Sequence, residues 1–295
     1  MDKKLGILIN DTSSEYHIGC DTVIYNIKRL CELNGIQITQ TFTRRDVRVP
    51  NKCDQAIKDC DIVIINGEGS LHDAYGRNFL QPLLNMIPDG KKTILINSLW
   101  YNMGKIEGIE KLKLITLRET DSYIRFRKDY PNYKYTVKIV PDIIFALPLS
   151  LTNIGYGDSV YGNKTNMLNC HGNFFPLDYR RQSTPGKSIE LKADNVYAYL
   201  KWLKSLDLYI TGRFHGVCLS AMAGTPFLAL PSNAGKIEAI LKDMGCQDLL
   251  INSVEEKDQK IQVAQNLAPL AYEYAQKARE EITHLFKIIR RITYE

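Results

Sequence analysis

Short β-branched runs alternate with amphipathic segments along most of this chain, and that alternation constrains its fold more than any other feature. Lys4 to Asn10 (KLGILIN) reads as a buried strand. Asp21 to Leu33 then carries Val23, Ile24, Ile27, Leu30 and Cys31 at helical spacing, and Gly35 stops that helix. The pattern recurs through Ile36 to Phe42, a short helix at Gln55 to Lys58, the run DIVII at Asp61 to Ile65 and a helix after Tyr75. Further strands are expected at Thr93 to Asn97, Leu112 to Leu117 and Val137 to Val140, with a helix at Asp121 to Lys128 between the last two. Strands alternating with helices imply a mostly parallel sheet covered on both faces.

A length of 295 residues, set against roughly 150 per domain, points to two lobes. Between Leu149 and Ser188 the composition shifts to Gly, Asn, Ser, Thr, Tyr and Pro, broken by one strand candidate at Asn166 to Cys170, so the junction is expected near 149 to 164. The lobes would then be residues 1–150 and 151–295. The alternation resumes with a helix at Ile189 to Ser205, the strand LYITG, a helix from Phe214 to Ala223, the strand PFLAL and a helix at Gly235 to Met244. Leu270, Tyr274, Ala278, Ile282, Leu285, Ile289 and Ile292 then step by three or four residues along one long C-terminal helix. Its basic end (Lys287, Arg290, Arg291) could touch anionic lipid headgroups, although packing across the lobes accounts better for the stripe.

Lys and Arg number 38 against 33 acids, a net charge of +5. That bias suits an anionic small-molecule substrate, and no basic block interleaved with aromatics argues for nucleic acid. The seven cysteines are scattered without a CxxC pair, so reduced, mostly buried thiols are expected rather than a disulfide framework or a zinc ribbon. No apolar run approaches the roughly 18 residues of a spanning helix, and the start runs straight into a strand without a signal-peptide pattern, so a cytoplasmic protein is expected.

In open α/β sheets ligands bind beyond the carboxyl ends of the strands, so the residues that follow each strand are the candidates. After DIVII comes Asn66-Gly67-Glu68-Gly69-Ser70-Leu71-His72-Asp73. Its two glycines permit a tight turn and close approach to a ligand, and Ser70 with main-chain N–H groups can hold an oxyanion or hydroxyls. It is neither a dinucleotide fingerprint nor a Walker loop, because His72 takes the third glycine position and no Gly-Lys-Ser/Thr follows. Glu68 repels phosphate and suits a sugar hydroxyl; a plain strand-to-helix turn would explain the same residues. Arg118 after LITL could hold an anion with Glu119 orienting it, and Thr120 is a candidate N-cap. Asp142 after Pro141, Ser98 after TILIN and His171 after NMLNC complete a set of polar groups at strand ends.

The most informative stretch is Thr211-Gly212-Arg213-Phe214-His215-Gly216-Val217, where a strand ends and a helix opens. Unpaired N–H groups at a helix start make an anion site that Arg213 would reinforce, and His215 beside a bound anion could donate a proton. Ser232 or Asn233 can cap the next helix, and Lys236 in its first turn opposes the helix dipole unless an anion lies nearby.

These residues carry a resemblance. GRFHGVCLSAMAGTPFLAL followed by NAGKIEAILKDMG resembles the C-terminal signature of the polysaccharide pyruvyl transferase family, with supporting matches in HIGCDTV, GEGSLHD, RETDS and PDIIFAL. The resemblance implies an α/β fold with two Rossmann-like lobes in a GT-B-like arrangement. It implies transfer of a pyruvyl group from phosphoenolpyruvate to two hydroxyls of a sugar or lipid-linked oligosaccharide, forming a ketal, with Arg213 and His215 matching the family's Arg-x-His. An acid, a base and cationic clamps suffice, so no cofactor or metal is expected. Glu68 between Gly67 and Gly69 departs from the family's glycine-rich loop. Two alternatives stay open: a glycosyltransferase gripping a sugar nucleotide, and a non-catalytic binding subunit of polysaccharide assembly.

Overall fold

The computed structural model describes residues 3–13, 18–68, 71–146, 153–159 and 196–294, the side chains of Ile18, 153–159, Ala198 and Asn233 excepted. Gly69, Ser70, His171, the expected strand at Asn166 to Cys170 and the first part of the helix expected from Ile189 lie outside the described residues. By compactness the chain divides into two units. The first collects residues 1–12, 24–143 and 281–295, the second 13–23 and 144–280.

The first unit is built on six parallel strands: β1 (Lys4–Ile9), β2 (Ile36–Phe42), β3 (Ile62–Asn66), β4 (Thr93–Ser98), β5 (Leu112–Leu117) and β6 (Thr136–Ile139), in the order β2-β1-β3-β4-β5-β6. All five residues of β3 and all six of β4 are buried, which is why IVIIN and TILINS show continuous apolar runs rather than alternation. The connecting helices are α1 (Ile18–Leu33), α2 (Arg44–Val47), α3 (Asp54–Asp59), α4 (Asp73–Met86) and α5 (Thr120–Asp129). Since β2 and β3 flank β1 on opposite sides, the strand order reverses there, and the carboxyl ends of β1 and β3 border a switch-point crevice.

The second unit holds a parallel sheet of β7 (Asn153–Ser159), β8 (Ser205–Gly212) and β9 (Phe227–Ala229), with α6 (Val196–Leu203), α7 (Phe214–Ala223) and α8 (Lys236–Asp243). Residues 153–159 fall within the stretch expected to be a junction; they are a strand because their backbone pairs in parallel with β8. Every residue of α7 is buried, and Gly224 ends that helix at φ +67°, a left-handed cap that suits glycine.

The C-terminal helix α9 runs Lys257–Tyr294, 38 residues. Its start is a capping box in which Glu256 accepts from the Ser253 N–H. The expected stripe is corrected in its first half. Leu270 is 42% exposed, and the buried line is Ala264, Ala268, Ala271, Ala275 and Ala278, continuing through Ile282, Leu285, Phe286 and Ile289. Apolar spacing located the larger residues, whereas alanines carry the stripe where α9 belongs to the second unit. In the first unit its end is tied to the amino ends of the strands: Lys92 Nζ donates to the Thr293 carbonyl at 3.1 Å and Tyr294 OH to the Gly35 carbonyl at 2.8 Å. Lys287, Arg290 and Arg291 are exposed. Among the described residues no helix is long and apolar enough to cross a membrane.

Candidate functional site

At the switch point of the first unit, three strands end on asparagine. Asn10 follows β1, Asn66 closes β3, and Asn97 lies near the end of β4, with Asn10 and Asn97 in left-handed backbone at φ +64° and +58°. Asparagine tolerates that conformation better than most residues. Asn10 Nδ2 donates to the Asn66 carbonyl at 2.7 Å. Thr12 Oγ1 donates to Glu68 Oε2 at 2.6 Å, Asn66 Nδ2 reaches the same oxygen at 3.4 Å, and the Glu68 N–H donates to Asn66 Oδ1 at 3.2 Å. Glu68 is 1% exposed, so its carboxylate is held by groups that β1 and β3 bring together.

Gly67 is required by its neighbour. A Cβ there would lie 2.5 Å from Ser98 Cα and 2.7 Å from Ser98 Oγ, so β3 and β4 can close together only over glycine. Ser98 in turn accepts the Arg118 N–H at 3.0 Å through its carbonyl. Arg118, 1% exposed, donates from Nη1 to Asp142 Oδ2 at 2.7 Å, and Asp142 is fully buried. The expectation that Glu119 orients Arg118 is corrected. Glu119 is itself the N-cap of α5, in place of Thr120, and both its oxygens accept the Ser122 N–H at 3.0 Å; Ser122 Oγ also donates to it. Ser122 Oγ accepts the Trp100 N–H at 2.8 Å, which ties this cap to the end of β4.

Gly67, Glu68, Ser98, Arg118, Glu119 and Asp142 therefore lie along the carboxyl ends of neighbouring strands. His72 is turned to Asp73, Nδ1 to Oδ2 2.9 Å, and this contact holds the Asp73 carboxyl below its ordinary value. The partners that sequence reasoning missed are Asn10, Thr12 and Asn97; Asn66 and Ser122 stand in the quoted segments after DIVII and LITL, without these contacts. A signal was present: the buried strands ILIN, VIIN and ILIN each end on asparagine.

In the second unit the turn after β8 places Arg213 at the N-cap of α7, half-buried, and His215 one step inside, 5% exposed. Thr211 Oγ1 accepts the Arg213 N–H at 3.1 Å, and a Cβ on Gly216 would lie 2.5 Å from that same oxygen. The ideal Cβ position of Gly19 lies 2.3 Å from His215 Nδ1, so α1 meets the imidazole at a glycine. Cys20 Sγ is within 4.8 Å of a His215 ring nitrogen.

The helix expected from Gly235, with Ser232 or Asn233 as its cap, starts one residue later. Asn233–Gly235 is a 3-10 turn, with Ala234 at φ +59° and Gly235 at φ +63°, and α8 opens at Lys236. Ser232 Oγ accepts the Ile237 N–H at 3.3 Å across it. The start of this short helix and the half-buried Lys236 in its first turn thus lie in the same unit as Arg213 and His215.

Residues 8–233 match the polysaccharide pyruvyl transferase family, from the strand before Asn10 to the turn after β9. The chain belongs to that family. Membership makes it a transferase of polysaccharide modification. No curated protein matches it. Among solved structures, a UDP-glucosyltransferase from Polygonum tinctorium capable of glucosylating indoxyl is similar over 99% of this chain and 99% of its own at 8% identity, TM-score 0.58. An MnaA from S. aureus solved with UDP is similar over 91% of each chain at 9% identity, TM-score 0.54. An uncharacterized protein, KP1_0663, from Klebsiella pneumoniae covers 85% of this chain and 94% of its own at 16% identity, TM-score 0.52. At these identities the likeness is one of fold, and it establishes the GT-B-like α/β class with its long C-terminal helix.

Proposed function

We propose that this transferase moves a pyruvyl group from phosphoenolpyruvate to two hydroxyls of a sugar in a cell-surface polysaccharide or its lipid-linked precursor. The observation that carries the reading is Arg213 and His215 at the opening of the buried helix α7, inside the stretch that matches the family. Phosphoenolpyruvate carries a phosphate and a carboxylate a few bonds apart, and a helix start with an arginine is suited to such an anion. Lys236 adds a second cation of the same unit.

The chemistry asks for a proton at the donor's methylene carbon. His215 supplies it, leaving cationic character at C2 that a sugar hydroxyl attacks as it gives up its proton. Phosphate then departs with its C–O bond electrons, and the second hydroxyl closes the ketal. One hydroxyl proton replaces the one spent on carbon and the other leaves with phosphate, so no water or redox partner enters. Arg213 and Lys236 offset the charge on the departing phosphate. We place the reaction in the cytoplasm, with Lys287, Arg290 and Arg291 suited to the headgroups around a lipid-linked acceptor.

Heat stability tests the donor. A ligand that binds only the folded protein raises its melting temperature, so phosphoenolpyruvate should stabilise this chain while CMP, UDP and GDP should not. With a galactose- or mannosamine-containing acceptor, phosphate should be released and the acceptor should gain a pyruvyl ketal by mass. His215→Gln should lower turnover about 10²- to 10⁴-fold. Stabilisation by a nucleotide and not by phosphoenolpyruvate would replace this reading with glycosyl transfer from a sugar nucleotide.

A further inference from the structure

We propose that Gly19 is a positioning residue for His215: the missing side chain at the start of α1 is the space in which the imidazole sits. This rests on the assignment of His215 to proton transfer. Three atoms define the fit. An ideal Cβ on Gly19 would stand 2.3 Å from His215 Nδ1, 2.4 Å from Cγ and 2.6 Å from Cβ. Real Cβ atoms do not approach so closely, and the clash is not confined to the far end of a flexible side chain. Rotation about χ2 leaves Cγ and Cβ where they are, and rotation about χ1 leaves Cβ. An alanine at position 19 therefore has to displace the first turn of α7 or the start of α1.

Helix α7 has nowhere to go. All ten of its residues are buried, and its first turn is also seated at Gly216, where a Cβ would meet Thr211 Oγ1 at 2.5 Å. Two glycines 197 positions apart in sequence, 19 and 216, thus let the same turn be closely packed at two neighbouring residues. The ring is 5% exposed and lies against Phe214, ring centroids 5.5 Å apart, so a displaced imidazole has no open solvent to rotate into. A proton donor works only within hydrogen-bond reach of the atom it serves, and a misplacement of about 1 Å can cost on the order of 100-fold in rate. Gly19 acts on the reaction through where it holds His215.

The test uses the full chain in four forms: wild type, Gly19→Ala, His215→Gly and the double variant. Removing the imidazole opens the space, so Gly19→Ala should lower the melting temperature clearly in the wild-type background and much less in His215→Gly. The ¹⁵N imidazole resonances of His215, identified by their loss in His215→Gly, should shift in Gly19→Ala while those of the other histidines stay in place. With phosphoenolpyruvate and acceptor, Gly19→Ala should lose about 10- to 100-fold in kcat with donor KM within about 3-fold, the signature of a mislaid transition-state group. Equal destabilisation in both backgrounds, or unmoved His215 resonances, would overturn the proposal. If Gly19→Ala alone does not fold, folding of the double variant supports the fit and its failure to fold refutes it. Wild-type turnover by His215→Gln would instead remove His215 from the mechanism and leave the thermal cycle and the resonances to judge the contact by themselves.

Discussion

Arg118 and Arg213 each follow a parallel strand and each opens a turn into a helix, yet the two units hold them differently. Arg118 is 1% exposed and bonded at 2.7 Å to the buried carboxylate of Asp142, which makes the pair part of the first unit's frame. Arg213 is half-buried at the N-cap of α7, where its charge adds to that of the helix start. A buried charge is tolerable only with its counter-ion in place, and the pair it forms is then spent on structure. A half-buried charge keeps part of its solvent contact. The same residue type after the same kind of strand thus stands in two settings, one sealed in the frame of its unit and one half-buried at a helix start.

The contrast can be broken by substitution. Arg118→Met leaves Asp142 buried without its arginine and should cost about 3–5 kcal/mol in urea unfolding. Adding Asp142→Leu should recover most of that loss; a double variant no better than the single one would show that the pair is not the unit of stability. Arg213→Ala should behave in the reverse manner. It should weaken phosphoenolpyruvate binding by the ~1.5–3 kcal/mol of a charge-assisted hydrogen bond, read as a raised donor KM and a smaller thermal shift. A fall in kcat alone would move Arg213 from binding to turnover.

Two smaller effects sharpen the picture of the first unit. Gly67→Ala should cost about 1–3 kcal/mol, because the new Cβ meets the Ser98 backbone, which cannot rotate away. Wild-type stability in that variant would mean that β3 and β4 can part at their ends. The smallest effect concerns acid. His72 holds the folded Asp73 carboxyl below its ordinary value, so its stabilisation is present above that ordinary value and is lost as pH falls through the folded one. An exposed pair of this kind contributes less than about 1 kcal/mol. Unfolding of wild type and Asp73→Asn should therefore differ slightly at pH 6 and converge as acid protonates the folded carboxyl, and a gap that widens in acid would contradict the pairing.

Much of this was legible along the chain. Buried apolar runs announce β1, β3, β4 and β5, the spacing of apolar residues announces α1, and the turns after strands hold the candidate residues. Local patterns decide such things because a strand or helix is specified by its own periodicity and by the residues that start and stop it. Where a local signal had near-equal competitors the outcome moved by a residue or so. Glu119 rather than Thr120 caps α5, since its longer carboxylate reaches the Ser122 N–H, and Ala271 rather than Leu270 faces inward on α9.

The sequence by itself determined the class: alternating strands and helices, parallel sheets, and an Arg-x-His turn opening a helix in the second half. Only the tertiary structure decided the partners. Strand order sets Thr12 beside Glu68, the seating of α5 and the turn after β6 sets Asp142 on Arg118, and the seating of α7 sets His215 in the space that Gly19 leaves. Those contacts join residues tens to hundreds of positions apart, and no periodicity spans such distances. They exist because burying two layers of apolar side chains brings strand ends together, and the polar groups carried there must then find one another within a dry interior.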